Sequence, residues 1–452
     1  MPVIRAFQGL RYNPSKISRL SSVYAPPYDV ISPKEQEVLH KKSPYNVVRL
    51  ILGKSGPRDT VADNRYTRAK KFLNDWVGSG VLFQDDFPSI YVYAQDYKEN
   101  GKTFTRIGFL AAMKLDERAV LRHENTLASP KKDRMALLKE VRTNLSPLFG
   151  LFEDKKGEVS ALLKNAMQPP PVVDVEIDGV RHRIYLESRP DVLDKIIKAM
   201  RAKPMYIADG HHRFEVACQF KNWMRLKYPK DETAGWNYVM TYFSDCTHNP
   251  FTIYPTHRLL RCPKGLKEPL KVLASRGSLE KVKDLSEILK TLSKTRGQAR
   301  AFWRAHGRRG SGGPRRGQAR DPKYRFGVYL KKQGFFIFTL APQYAALIKK
   351  NPVDSLDVAA LHKMIVEPCF KIKTLEKSGS IDFTRDPREA CEKVRHGDFD
   401  AAFFLRPTSL GEMLLASKKG LKMPQKSTYF YPKLLSGPVF HKFEENGSRA
   451  SA

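Results

Sequence analysis

The chain has 452 residues and a formal net charge of +33, and 41% of its residues are hydrophobic. This length and composition exclude a mostly disordered chain and predict one large or a few ordinary globular domains. The sequence has no apolar run of membrane-spanning length, and its start, Met1–Pro14, has no apolar signal core. We therefore expect a cytoplasmic protein that is neither secreted nor inserted in a membrane.

The cysteines argue against a zinc or redox protein, and the distribution of basic residues argues against a nucleic-acid partner. The five cysteines are scattered and form no C-x-x-C pair, so neither a zinc knuckle nor a redox motif is predicted, and reduced cytosolic thiols fit better. The positive charge attracts phosphates in general, nucleic acids included. It is partly concentrated in one Arg- and Gly-rich segment, so we do not expect nucleic acid as a partner.

Hydrophobic periodicity and turn residues predict alternating helices and strands over the first part of the chain. The predicted helices follow Ser32-Pro33, cover 63–77, run from Ser129-Pro130 to about Asn144, and cover 191–202 and 211–226. The predicted strands cover 90–97, 104–115, 172–177, 182–186, 205–208, 238–243 and 251–259. The pattern indicates an α+β (mixed α/β) fold.

The later part of the chain contains a segment without apolar periodicity. Residues 296–322 include the sequence RGQAR twice and predict a basic flexible insertion, more simply a solvated loop than a nucleic-acid arm. A hairpin is predicted at 324–340, helices at 355–366 and 387–396, and a buried strand at 400–406. We place an α/β region at 1–260, a second α/β region at 261–441, and a disordered tail at 442–452.

The segment Ala208–Arg213, ADGHHR, is the strongest candidate for a ligand site. An apolar strand ends there, Gly210 permits a sharp turn, and an amphipathic helix begins. The first amides of a helix attract anions, and we expect Asp209 to cap this helix. Arg213 can grip phosphate oxygens, and His211 and His212 add donors. The alternative is an Asp-capped helix with an exposed polar first turn.

A second candidate is the pair His123-Glu124, which follows a predicted strand and precedes the helix at Ser129. A glutamate in such a position can act as a general base when its surroundings tune its pKa. A solvated loop is the simpler interpretation. The pair alone therefore does not define a reaction.

A third candidate is the loop of Gln425, Lys426, Ser427 and Thr428, which is followed by three aromatic residues and Lys433. Its hydroxyls and lysines suit a loop that closes over a substrate or a phosphate, and buried tyrosines in an ordinary turn are the alternative. His257, in the segment YPTHR, is a further candidate for the same role. A core histidine with satisfied hydrogen bonds is the commoner outcome at such a position.

Several segments together carry a resemblance to a known family. They are FQGLRYNP (7–14), APPYDVIS (25–32), NVVRL (46–50), ADGHHR (208–213), PTHR (255–258) and MPQKSTYFYPKLLSG (423–437). On these the chain resembles the domain of unknown function 1015 family. The ADGHHR segment resembles the phosphate-binding box of the ParB/sulfiredoxin-like superfamily, whose members include free-serine kinases. The resemblance implies a ParB/sulfiredoxin-like nucleotide-binding core with large α/β elaborations.

The resemblance also implies an activity. It is phosphoryl transfer from ATP or ADP to the hydroxyl of free serine, or of a related hydroxy amino acid. His123 and Glu124 would be catalytic, with Glu124 taking the hydroxyl proton. Asp209, Gly210, His211, His212 and Arg213 would hold the phosphates, with Mg²⁺, for which Asp209 is the candidate ligand. The alternatives are a ParB-like nucleotide-binding regulator that contacts nucleic acid and a non-catalytic nucleotide-binding protein. The oligomeric state stays open, with a homodimer as one option.

Overall fold

The computed structural model describes residues 2–99, 101–124, 128–229, 231–263, 266, 268–294, 324–348, 351–372 and 379–443. The chain divides into two compact units. Unit 1 contains residues 1–122, 126–251 and 432–452, and unit 2 contains residues 123–125 and 252–431. The predicted insertion at 296–322 lies outside the described residues, as does the predicted tail from 444 onward.

Unit 1 is built on a mixed sheet, which has nine strands within the described residues. Its strands, in spatial order, are Val120–Leu121, Met205–Asp209, Leu148–Phe152, Tyr238–Asp245, Lys102–Lys114, Ile90–Glu99, Val180–Glu187 and Val173–Ile177, with Ile4–Arg5 pairing with Lys102–Lys114. Two of the strand pairs are parallel and the rest are antiparallel. The apolar faces of these strands and the helices packed on them form one large core.

Further strand pairs and helices complete unit 1. The additional strand pairs are Leu10–Tyr12 with Leu82–Gln84 and Thr143–Asn144 with His441–Lys442. The α-helices are Pro33–Lys42, Val48–Ile51, Arg65–Gly78, Ala128–Val141, Glu158–Ala166, Pro190–Met200 and His211–Lys227, and 3₁₀ turns lie at Leu20–Ser22, Tyr28–Val30 and Gly235–Asn237. Capping boxes at Ser32 and Asn64 fix the starts of two helices.

Unit 2 contains an antiparallel sheet, which has six strands within the described residues. In spatial order these are Gly277–Val282, Gly334–Leu340, Arg325–Leu330, Ala401–Phe404, His257–Leu260 and Ile381–Thr384, and Thr252–Tyr254 pairs separately with Tyr429–Tyr431. The helices are Pro269–Ala274, Leu285–Lys294, Pro342–Ala346, Asp357–Leu361, a π-helical turn His362–Val366, Glu367–Phe370, Pro387–His396 and Leu410–Lys418. Two apolar clusters form its core.

The predicted mixed α/β class is confirmed, and most predicted elements lie within a few residues of their observed bounds. Two predictions need correction. The helix that begins near Ser129 ends at Val141, because Thr143–Asn144 pairs as a short strand. The single strand expected at 251–259 is two strands interrupted at Pro255, whose ring cannot donate to a ladder. None of the described helices is long and apolar enough to cross a membrane.

Candidate functional site

The ADGHHR segment forms the predicted strand-turn-helix in unit 1. The strand Met205–Asp209 ends at the aspartate, Gly210 turns the chain with φ of +96°, and the helix starts at His211. A left-handed φ strains any residue with a Cβ, so glycine is needed at this turn. The expectation that Asp209 caps the helix is wrong, because Gly210 occupies the N-cap and the Asp209 carboxylate makes ion pairs instead.

The Asp209 carboxylate binds a cationic group at each of its oxygens. Arg213 Nη2 lies 2.7 Å from Oδ2, and Lys433 Nζ lies 2.5 Å from Oδ1. Arg213 also donates to the carbonyl oxygen of Pro147. The Lys433 and Arg213 side chains are only 13% and 14% exposed, so water screens their charges weakly. Two cations and one anion leave a net positive charge at the helix start.

Lys433 is held in place by a buried polar network in the same unit. Gln95 Nε2 donates to the Lys433 carbonyl oxygen at 2.9 Å, and the Arg106 guanidinium donates to the carbonyl oxygen of Pro432 and to Gln95 Oε1. Arg106 is fully buried, and burial lowers its pKa. These bonds fix the backbone that carries Lys433, so its ammonium group reaches Asp209 from a rigid support.

The two histidines of the segment differ in exposure. His211 is buried and His212 is half-buried at the first turn of the helix. Adjacent helical residues point about 100° apart, so the two rings face different surroundings. The structure therefore brings Asp209, Gly210 and Arg213 together at one turn with both histidines beside them, as the sequence indicates.

Tyr28 extends this site from the APPYDVIS segment. Its ring lies 4.0 Å from the guanidinium carbon of Arg134. Burial raises the Tyr28 pKa to about 12, with a further increase from Asp29, and the charges of Arg134 and Arg213 act in the opposite direction. The Tyr28 hydroxyl is therefore protonated at neutral pH. It is close enough to feel the charges of both Arg213 and Asp209.

A magnesium ion bound directly to Asp209 does not fit this arrangement. Mg²⁺ prefers carboxylate, phosphate and water oxygens. Both oxygens of Asp209 already contact cationic groups, Arg213 and Lys433, which would repel a divalent cation. Asp209 as a magnesium ligand therefore stays a prediction without geometric support.

Unit 2 contains the His123-Glu124 pair. Glu124 pairs with Met423 as a parallel bridge, and the carbonyl oxygen of His123 accepts from Met423 N at 2.6 Å. Glu124 Oε1 accepts from the backbone N–H of Lys426 at 3.1 Å. The residue that donates, Lys426, has a left-handed φ of +54°, which strains a residue with a Cβ. The half-buried carboxylate is thus held by the loop of the third candidate.

Arg258 is the main charged group beneath that loop. It is buried, and its Nη2 donates to the carbonyl oxygen of Gln425 at 3.1 Å. Its Nε lies 3.4 Å from His362 Nε2, in the π-helical turn. Burial lowers the Arg258 pKa to about 9, and the negative charge of Glu124 opposes that shift. Arg258 therefore supports the turn that contacts Glu124 and also acts on Glu124 electrostatically.

The other loop candidates lie as follows. Gln425 and Lys426 form the turn, Thr428 is half-buried, and Ser427 is buried with its hydroxyl donating to the carbonyl oxygen of Pro424. His257 is buried, accepts from the Leu405 N–H at 3.3 Å, and has its pKa lowered to about 4, mainly by burial. These contacts fit the core-histidine alternative for His257.

Sequence reasoning assigned no role to Tyr28. It included Arg134, Arg258 and Lys433 near or within candidate segments but did not identify their partners, which are Tyr28, Gln425 and Asp209. Three of these residues lie inside quoted segments: Tyr28 in APPYDVIS, Arg258 in PTHR and Lys433 in MPQKSTYFYPKLLSG. Their position in segments that carry the family resemblance was the only sequence feature that marked them. Nothing local marks Lys433, since its partner Asp209 lies 224 positions away.

Comparison with solved structures finds several distant likenesses. A free serine kinase in complex with AMP is 12% identical, with a TM-score of 0.32 and coverage of 71% of this chain and 86% of that one. A conserved hypothetical protein from Pyrococcus furiosus is 11% identical, with a TM-score of 0.33 and coverage of 71% and 90%. SbnI with a C-terminal truncation, from Staphylococcus aureus, is 11% identical, with a TM-score of 0.35 and coverage of 73% and 87%. No curated protein matches the chain.

Comparison with protein-family models finds a match over most of the chain. The family described as Protein of unknown function (DUF1015) matches residues 4–359, which is most of the chain. The matched range includes the ADGHHR turn, His123-Glu124 and the PTHR segment. The chain therefore belongs to this family of proteins of unknown function.

Proposed function

We propose that this protein is a nucleotide-dependent small-molecule kinase that transfers a phosphoryl group from ATP or ADP to the hydroxyl of free serine. The observation that carries the proposal is the turn at Gly210, where the start of a long helix adjoins Arg213 and Lys433. Backbone donors, a helix dipole and two weakly screened cations are the groups that hold nucleotide phosphates. Mg²⁺ would accompany the nucleotide as the counter-ion of its phosphates.

The proposed reaction needs few protein groups. The serine hydroxyl oxygen attacks the terminal phosphorus, the bond from that phosphorus to the leaving nucleotide oxygen breaks, and Glu124 accepts the hydroxyl proton. Phosphoryl transfer depends mainly on positioning and on neutralising charge. The assignment of Glu124 is supported by its half-buried carboxylate, by the Lys426 N–H that orients it, and by the resemblance to free-serine kinases.

The proposal is tested by incubating the protein with ATP or ADP, Mg²⁺ and an amino-acid mixture, followed by mass spectrometry for a phosphorylated amino acid. We expect phosphoserine, and we expect Glu124→Gln to lose transfer while it still binds nucleotide. Glu389→Gln is the control, because Glu389 is a partly exposed glutamate in the same unit that pairs with Lys393.

Two outcomes would contradict parts of the proposal. Nucleotide binding without any phosphorylated product from the wild-type protein would favour a non-catalytic nucleotide-binding protein. Full activity of Glu124→Gln would remove Glu124 as the base, even if serine is phosphorylated.

A further inference from the structure

A cationic cavity in unit 1 shares no lining residue with the ADGHHR turn, and one of its lining residues, Arg49, belongs to the NVVRL segment. It has a volume of about 350 Å³ and is lined by side chains from the helices Pro33–Lys42, Val48–Ile51 and Arg65–Gly78. Its cationic lining residues are Lys41, Arg49, Lys54, Arg65 and Arg68. Small-molecule sites in proteins begin at about this size. The cavity is therefore large enough to hold a small ligand.

The charges of this cavity are only partly compensated. Lys54 pairs with Glu37 at 2.6 Å, Arg68 pairs with Asp59 and Asp63, and Arg65 pairs with Asp133. Neither Arg49 nor Lys41 forms an ion pair with a carboxylate among the residues that the structure describes, although the charge of Lys41 contributes to lowering the pKa of Glu37. The interior of the cavity therefore keeps a net positive charge.

Arg49 is the best-placed group for a ligand. Its Nη2 donates to the His40 carbonyl oxygen at 2.9 Å, and its guanidinium lies 5.8 Å from the centre of the Phe72 ring. Its Nε is buried and has no hydrogen-bond partner in the described part of the chain. A guanidinium group that lines a cavity is suited to a planar or tetrahedral oxyanion, because its N–H groups can bind two oxygens at once.

The residues around Arg49 indicate a positive electrostatic potential in the cavity. The pKa of His40 is lowered by burial and by the charges of Arg49 and Lys54, against a smaller opposing effect of Glu37. Gly53 closes one side, where an added Cβ would come within 3.2 Å of the Arg65 carbonyl oxygen and 3.3 Å of the Arg49 carbonyl oxygen. The backbone thus approaches closely at the wall of the cavity.

We propose that this cavity binds a small phosphate-bearing anion at a site separate from the ADGHHR turn, with Arg49 as its principal ligand. Lys41 contributes charge at the mouth, and Phe72 provides an apolar wall. A solvated basic surface is the simpler alternative, but these groups line a concavity rather than a flat face.

The test is calorimetric titration of the full chain with inorganic pyrophosphate near physiological ionic strength. We expect binding to persist in Arg213→Gln, which weakens only the ADGHHR turn. Adding Lys41→Gln to that variant should reduce the remaining affinity by roughly tenfold, and adding Arg49→Lys should reduce it further, because lysine keeps the charge but lacks the guanidinium fork. Lys42→Gln, the exposed neighbour on the same helix, is the control.

The outcomes separate this inference from the kinase proposal. If Arg213→Gln binds no pyrophosphate, or if its binding is unchanged by Lys41→Gln and Arg49→Lys, the cavity is not an anion site. If the wild-type protein makes no phosphoserine but the cavity variants lose affinity for pyrophosphate, the kinase proposal fails and the anion site in the cavity stands. Lys41 is exposed, so its replacement should not disturb folding.

Discussion

Lys433 shows how much a single distant side chain contributes to the candidate site. The ADGHHR segment supplies Asp209 and Arg213, but the second cation on Asp209 comes from the other end of the chain. The Lys433 ammonium is bound to a carboxylate in surroundings that are largely shielded from water. Its loss should therefore affect both stability and the affinity for phosphate.

We expect Lys433→Gln to lower the free energy of unfolding by about 1.5–3 kcal/mol, the usual contribution of a hydrogen bond to a charged group. Nucleotide binding should weaken as well, because one positive charge is removed from the proposed phosphate site. Chemical denaturation and calorimetry measure the two effects. Lys195→Gln, which breaks an exposed ion pair with Asp191, serves as the control. Wild-type nucleotide affinity in Lys433→Gln would exclude Lys433 from the site.

At the scale of elements, the turn between the strand Met205–Asp209 and the helix His211–Lys227 was predictable from the sequence. The apolar strand, the glycine and the helical periodicity of the following residues are local features. The cap was mispredicted because the Asp209 carboxylate binds Arg213 and also the Lys433 ammonium, a partner 224 positions away that periodicity cannot reveal. Pro255, in contrast, is a local signal for the strand break that was overlooked.

Gly210→Ala tests the turn itself. A Cβ there would lie 3.0 Å from Arg213 Nη2 and 3.0 Å from Leu148 Cδ2, at a φ of +96°. We expect a loss of stability of at least about 1–2 kcal/mol from the left-handed backbone, together with weaker nucleotide binding as Arg213 is displaced. Gly179→Ala is matched to it, with φ of +73° and nothing within 4 Å of an added Cβ.

The two variants should therefore differ in one property. Both should be less stable in thermal denaturation, and only Gly210→Ala should bind nucleotide more weakly. Equal nucleotide affinity in the two would show that the geometry of this turn does not matter for binding.

At the scale of the whole molecule, buried neutral histidines should make the folded protein less stable in acid. Burial lowers the pKa of at least four of them to about 3 or 4: His182, His257, His362 and His441. In the folded protein these rings stay neutral, whereas in the unfolded chain they bind protons below about pH 6.5. The unfolded state is thus favoured as the pH falls, so stability is lost from about pH 6.5 downward.

We expect the melting temperature to fall between about pH 7.5 and pH 5, with each histidine contributing up to about 1.4 kcal/mol per pH unit over that range. His182 Nδ1 lies within hydrogen-bond distance, 2.7 Å, of the Tyr93 hydroxyl, which also accepts from Leu435 N at 3.4 Å. His182→Gln should make the melting temperature fall less on acidification, and replacement of the exposed His396 by Gln should not have this effect. An identical pH dependence in both variants would contradict this account.

The sequence also indicated the mixed α/β class and most element positions, because these depend on local apolar periodicity. The two-unit organisation depends on long-range pairing. No local feature signals that residues 432–443 belong with the first 251 residues. The roles of Arg258 and Lys433 follow from that connectivity, so they become visible only in three dimensions.

The return of the chain at residue 432 bears on the order in which the protein can fold during synthesis. Asp209 leaves the ribosome long before Lys433, so the ADGHHR turn of a nascent chain lacks its second cation. The first and last strands of unit 2 pair with each other, and Thr252 lies opposite Tyr431. We therefore expect folding of unit 2 to bring residues 252 and 431 together, which lowers the entropy cost of joining residues 432–443 to the earlier part of unit 1. The inserted unit 2 should in this way favour completion of unit 1, which carries the ADGHHR turn.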